Sequence, residues 1–432
     1  MRVPSRFLPC LLSTSIVLTG AASASAAEPR KAVYQVQSRL AVTVPEEALR
    51  VRIWLPMPQK DAVSQIEDLA TAVELGGTAV PAANADAETK SGAERAARKA
   101  DGDGFAAKGA GANKGDVAHE DGDAGKADSD AKLHAAGSKE AGGPALTVGR
   151  DSHGNEIGYV EVARPRAGEI VIQQSFTLTR SEMRGDLDAA RTRPLTAEEK
   201  KEHRQALEAS TYIPLSPDIR KLAGEIVGDE KNPLRIARKI YDWELANVDY
   251  WAKDPDRYEP SPMGSAVYCL STRSGNCADF HSLYIALARA AGVPARMVYG
   301  SLLKKQMQGS RDDAGTHCWV EVFFPELGWQ SVDVSLADLY HGNVEKTPKN
   351  EKLLAAATPT GVFGENAEMT DYYFGNLDER RVVWSRGRDI MLDPPQAGIA
   401  LNSLPKAYVE IDGKEHGGWK RTTTFKEAAS AQ

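Results

Sequence analysis

Residues 273–300 read RSGNCADFHSLYIALARAAGVPARMVYG. Phe280, Leu283, Tyr284, Leu287 and Ala291 recur at helical spacing, and Gly292 followed by Pro294 stops the helix. Ser274, Gly275 and Asn276 come just before it. Cys277 therefore falls in the first helical turn, after a glycine that lets the backbone turn sharply. The partial positive charge at a helix N-terminus favours thiolate over thiol. An unperturbed cysteine, with a pKa of about 8.5, is only a few per cent thiolate near neutrality. A helix start is where a nucleophilic cysteine belongs; the plainer reading is a buried structural thiol.

A nucleophile needs a base, and residues 316–335 read THCWVEVFFPELGWQSVDVS. Residues 318–324 alternate as a strand, 325–328 form a turn, and 329–334 are expected as the return strand. His317 and Asp333 are equally far from Pro325, so they come opposite or diagonal to each other across the hairpin. Asp333 can then orient His317, and His317 can take the Cys277 proton. The Cys277 backbone N–H is the candidate oxyanion donor, and Tyr250, Trp251 and Trp319 are candidates for the oxyanion site or the cleft wall. Trp319 and Trp329 on strands read first as core. Cys269 and Cys318 read as bystanders; Cys318 alternates to the strand face away from His317 and is expected to point into the core, and a Cys269–Cys318 disulfide stays open. The competing reading is a zinc shell from Cys269, Cys277, His281, His317 and Cys318, which lacks any paired C-x-x-C spacing.

G-N-C-x-D-F followed by a helix and G-V-P-A-R, then H-C-W-V-E-V, then G-W-Q-S-V-D, resembles the transglutaminase-like cysteine-hydrolase core. The resemblance covers roughly residues 216–340, and the YYFGNL…GRDIML stretch in 372–394 is similar to flanking regions of exported bacterial members. It implies Cys277 as nucleophile, His317 as base and Asp333 as its partner. It also implies an α+β fold with a papain-like core, in which a Cys-bearing helix packs on an antiparallel sheet carrying His and Asp. Such proteins hydrolyse peptide or amide bonds, or transfer a glutamine acyl group to an amine. A non-catalytic binding module on the same fold is the third class. No cofactor and no metal are expected.

Outward from this core, residues 195–247 look helical, with Ser216-Pro217 and Asn232-Pro233 as two starts. Residues 33–75 and 146–178 alternate as strands bounded by prolines, glycines and turn residues. Between them, about 83–143, the composition collapses to Ala, Gly, Asp, Lys and Glu, which predicts a disordered insert within one β-rich domain. The expected organisation is a signal peptide at 1–26 and a β-rich N-terminal domain at 30–182. A helical lead-in and catalytic core follow at 195–345, then a β-rich C-terminal extension at 346–420 and a tail at 421–432. The extension is expected to hold strands at 382–384, 390–392 and 408–411.

Arg2 and Arg6, a short apolar run and Ala24-Ser25-Ala26 make the signal reading, so the mature protein is expected to be exported, periplasmic or secreted, with no stable membrane span. Over 432 residues, 42% hydrophobic and 26% charged, the net charge of −7 offers no basic footprint for nucleic acid. The expected partner is a peptide or protein, a cell-wall peptide among them.

Overall fold

The computed structural model describes residues 28–76 and 144–428. The expected signal peptide and the expected insert lie outside the described residues. In chain order the elements are β1 (Lys31–Val44), β2 (Arg50–Pro56), β3 (Ser64–Leu75), β4 (Thr147–Arg150), β5 (Glu156–Ala163) and β6 (Gly168–Ser181). Then come α1 (Ala197–Glu202), α2 (Pro217–Val227), α3 (Pro233–Asn247), β7 (Asp249–Tyr250), α4 (Ala266–Thr272), β8 (Ser274–Gly275) and α5 (Cys277–Ala290). After these are β9 (Ala295–Leu302), β10 (Thr316–Phe324), β11 (Gly328–Val332), α6 (Val334–Asp338), α7 (Pro348–Ala357), α8 (Ala367–Tyr372) and β12 (Phe374–Gly375). The last are β13 (Arg381–Arg386), β14 (Tyr408–Ile411), β15 (Lys414–Glu415) and β16 (Trp419–Glu427).

Two antiparallel sheets face each other in the N-terminal part, ordered β16-β1-β6-β3 and β15-β14-β2-β5-β4. Along β1, Tyr34, Val36, Leu40 and Val42 are buried while Gln35, Gln37 and Arg39 face water, the period-two pattern of a half-buried strand. Leu40, Val42, Val51, Ile53, Val160 and Ile172 meet in one core from both sheets. Strands from either side of the undescribed stretch thus share one interior, β2 pairing with β5 and β3 with β6. The residues after 346 are divided between two places: β13 pairs with β9, whereas β14 pairs with β2 and β16 with β1. Residues 421–427, expected as tail, continue β16 because Arg421, Thr423 and Phe425 bury their side chains. Ile390–Leu392 is no strand; Ile390 makes a single bridge to Leu401.

The second part is a mixed helix and sheet unit. Its sheet runs β12-β11-β10-β9-β13, and α5 lies buried with Phe280, Leu283, Tyr284, Ile285 and Leu287 at 0% exposure. The two proline-led starts are as read: Ser216 caps α2 and Asn232 caps α3, each with Pro in the first turn. In the β10–β11 hairpin Phe324 faces Gly328 and Val320 faces Val332. The three-residue turn, with Glu326 at φ 67°, moves the centre one position past Pro325. The return strand accordingly stops at Val332, and Asp333 caps α6 instead of extending the hairpin.

Candidate active site

Cys277 is the first residue of α5 and half-buried. Asn276 caps the helix by accepting from Ala278 and Asp279 N–H, and the Asp279 carboxylate accepts in return from Asn276 N–H at 3.0 Å. The cap consumes those two N–H groups and not that of Cys277. The same Asp279 carboxylate takes the N–H groups of Ser261 at 3.1 Å and Ser265 at 2.8 Å, and so fastens the 261–265 loop beside the nucleophile. Gly275 is required for space more than for a turn. A Cβ there would stand 2.3 Å from the Asp279 Cβ, and its φ is not among the positive ones.

His317, on β10, is 7% exposed, and its Nε2 is 2.8 Å from Oδ2 of the fully buried Asp333. That leaves Nδ1 as the ring nitrogen for the cysteine. The register puts the two residues diagonal to each other. Oδ1 of Asp333 accepts from the Ser335 hydroxyl and the Leu336 N–H, both at 3.1 Å.

The electrostatics split the pair. The adjacent Cys318 side chain holds the Cys277 thiol well below the ordinary cysteine range; burial works against this, and His317 adds to it. Burial disfavours the His317 imidazolium, but Asp333 and then Cys277 outweigh it and lift its pKa to about 9. Burial would raise Asp333, yet His317 and Arg381 hold it well below the usual carboxylate range. These directions together favour thiolate, imidazolium and carboxylate, and the three groups titrate as one coupled set.

Tyr250 lies at this centre: its backbone pairs with Gly275, its ring is 6.2 Å from that of Phe280, and burial followed by Cys277 pushes its hydroxyl up. Trp251 is half-buried beside it and works against that rise. Trp319 is 1% exposed, so it does not wall a cleft; it stacks on His317 at 6.5 Å between ring centroids. All three described cysteines are free, so no Cys269–Cys318 disulfide forms. Cys318 is buried as expected but is no bystander. It sits against Cys277 and contacts His281 Nδ1 at 3.4 Å, while burial keeps it a thiol. Strand alternation does separate it from His317, but the N-terminus of α5 ends over the face it points to. No group of three or more His, Cys, Asp or Glu among the described residues is arranged to hold a metal ion.

Sequence reading missed Arg381. From β13 its Nη1 reaches Asp333 Oδ2 at 2.7 Å, its Nη2 reaches Asp378 Oδ2 at 2.8 Å, and its guanidinium carbon lies 5.1 Å from the Trp319 ring centroid. His317 and Arg381 therefore share one carboxylate oxygen. No local signal marks this arginine; only the pairing of β13 with β9 brings it here.

Residues 220–334 match the model of the Transglutaminase-like superfamily, so this part of the chain is a transglutaminase-like domain. An uncharacterized protein of Haemophilus influenzae is 26% identical over 229 residues, covering 48% of this chain and 56% of its own length. A protein-glutamine gamma-glutamyltransferase of Pseudomonas aeruginosa is 39% identical over 132 residues, covering 27% of this chain and 18% of its own. Among solved structures, a candidate cysteine protease of Cytophaga hutchinsonii aligns over 93% of each chain at 12% identity, with a TM-score of 0.48. The chain spans little more than half, or less, of the length of these curated relatives.

Proposed function

We propose that the transglutaminase-like domain is a cysteine hydrolase of peptide or amide bonds, with Cys277, His317 and Asp333 as its catalytic residues. The observation that carries this reading is the thiolate–imidazolium pair: Cys277 held below the thiol range at a helix start, beside an imidazole lifted to about 9 by an aspartate 2.8 Å away. The Cys277 sulfur attacks the carbonyl carbon, and the developing oxyanion is received by the Cys277 N–H. The C–N bond breaks as the His317 imidazolium gives its proton to the leaving amine, which leaves a thioester. Water then attacks the thioester, its proton passes to His317, and the acid departs with Cys277 restored as thiolate.

A primary amine in place of water would give protein-glutamine acyl transfer, the activity named for the Pseudomonas aeruginosa relative. Covalent incorporation of a fluorescent amine into a glutamine peptide, set against release of the free acid, separates the two. The substrate on this reading is a peptide or protein outside the cytoplasm, cell-wall peptides included. Support comes from the signal-like first 26 residues; among the described residues no helix is long and apolar enough to cross a membrane.

The deciding experiment is the alkylation rate of each cysteine against pH, by mass spectrometry, in the mature protein and in His317→Ala. Cys277 alone should react fast at pH 6, and it should fall back to an ordinary thiol profile without His317. A Cys277 that is slow at pH 6 with His317 present would leave the fold as a binding module.

A further inference from the structure

Arg388 follows β13 and Gly387, whose φ is 93°, and is 4% exposed. Its side chain's hydrogen bonds among the described residues come from Nη1 alone, which donates to Asn402 Oδ1 at 2.9 Å and to the Met263 carbonyl at 3.3 Å, while its backbone carbonyl meets His153 Nε2 at 2.8 Å. Asn402 is itself fixed, its Nδ2 donating to the same carbonyl at 2.9 Å. Nε and Nη2 of Arg388 are buried with no partner. A desolvated guanidinium with two unused donor nitrogens and no carboxylate is costly unless something else meets it.

The unused donors are near the nucleophile. A Cβ added to Gly264 would stand 2.7 Å from Arg388 Nη2 and 2.5 Å from the Cβ of Ala278, the residue after Cys277. The guanidinium carbon is 6.0 Å from the Tyr299 ring, and Tyr299 is the register partner of Cys318. Burial pushes the Tyr299 hydroxyl up to about 12; Arg388 works against that rise, and Cys318 and Cys277 add to it. A second cation is on the His317 side of the site. Lys304, just past β9, is half-buried with no hydrogen bond or ion pair from its amine among the described residues, and that nitrogen is 3.0 Å from where a Cβ on Gly315, two residues before His317, would stand. Burial lowers its pKa, while Cys277 and Asp313 act to raise it.

We propose that Arg388, steadied by Asn402 and flanked by Lys304, binds a carboxylate of the substrate, so that the preferred acyl donors are peptides with a free carboxylate close to the bond Cys277 attacks. A guanidinium with two free donors suits a carboxylate by geometry as well as charge. The inference rests on the cysteine-hydrolase reading above and names the substrate class of that same site. The carboxylate belongs either to the C-terminal residue of a peptide or to the α-carbon of a residue linked through its side chain, as in a γ-glutamyl amide.

The test compares second-order alkylation of Cys277 by iodoacetamide and by iodoacetate at pH 6 in the wild type, Arg388→Gln and Arg388→Lys. In each case the sulfur displaces iodide, so only the charge of the reagent differs. The iodoacetamide rate reads the nucleophile; the iodoacetate-to-iodoacetamide ratio reads the carboxylate seat. Arg388→Gln should lower that ratio about tenfold, the loss of one charge-assisted contact, with the iodoacetamide rate little changed, and Arg388→Lys should recover part of it. A ratio equal in wild type and Arg388→Gln, with fast iodoacetamide reaction in both, overturns the seat and leaves the hydrolase reading standing. Slow iodoacetamide reaction in the wild type overturns both. If Arg388→Gln does not fold, protection of the wild type decides. A free C-terminal carboxylate (N-acetylglycine) or a free α-carboxylate beside a side-chain amide (γ-glutamylglycinamide) should slow iodoacetamide attack, and whichever does so identifies the source. Protection by neither, or equal protection by N-acetylglycinamide, rejects the seat.

Discussion

At the scale of single residues the site is an arrangement of charge around one sulfur. Cys277→Ala and His317→Ala should each abolish turnover while the thermal midpoint stays near that of the wild type. Asp333→Asn should reduce turnover strongly while keeping the fold, since Ser335 and Leu336 still donate to the remaining carbonyl oxygen. The pH profile has a defined sign. Activity should rise on the acid side as Cys277 loses its proton, below the ordinary thiol range, and fall on the basic side as His317 deprotonates through about 9. Arg381 takes part of the Asp333 charge, so Arg381→Gln should strengthen the hold of Asp333 on His317 and move the basic limb upward. A limb that stays in place would mean the arginine serves structure alone. The three catalytic candidates were legible because each sits in its own local pattern: a helix start, a strand and a hairpin end. Cys318 and Arg381 were not, because alternation says which way a side chain points and not what lies there. Arg381 also reaches Asp333 from a strand outside the matched stretch.

At the scale of elements, the helix that carries the nucleophile is positioned by its first turn. Gly275→Ala would press a methyl into Asp279, and overpacking of this kind costs about 1–3 kcal/mol, visible as a lower urea midpoint. Because Asp279 also fastens the 261–265 loop, the same substitution should slow Cys277 alkylation more than the stability loss alone explains. In α3, Glu244 is fully buried with neither carboxylate oxygen bonded, and burial followed by Asp338 pushes its pKa well up. A carboxyl raised in the folded state costs stability as pH climbs past its unfolded value of about 4.3, by about 1.4 kcal/mol per pH unit while it stays protonated. Glu244→Gln should therefore gain on the wild type steadily between pH 5 and pH 8 in urea titrations. A gap that does not widen would place the proton elsewhere. The helices were readable from Ser216-Pro217, Asn232-Pro233 and the spacing after Cys277. The strand expected at 390–392 was not one, because an apolar triplet fits a buried loop as well as a strand, and here Ile390 and Leu392 fill a small core with Trp54 and Tyr408.

At the scale of the molecule, two cores share one chain without being sequential. β3 and β4, on either side of residues 77–143, are each the edge strand of a different sheet. Replacing residues 83–143 with a short flexible link should leave the thermal midpoint within a few degrees of the full chain, and a large drop would give that stretch a structural duty. The shared core of the two runs of strands follows from their sequence, since neither run could close a core by itself. What stayed hidden was the destination of the last strands, because long-range pairing leaves no local trace. Tyr34 lies in register with Glu427 and Val42 with Trp419. That pairing has a kinetic side. Contacts between opposite ends of a chain are the slowest to form, since their loop must close before they return any energy. A nascent chain that already carries Cys277, His317 and Asp333 still lacks the strand that seals the first sheet. Until β16 docks, β1 keeps one edge bare, and a bare edge is a template on which a second chain could pair in place of the chain's own strand.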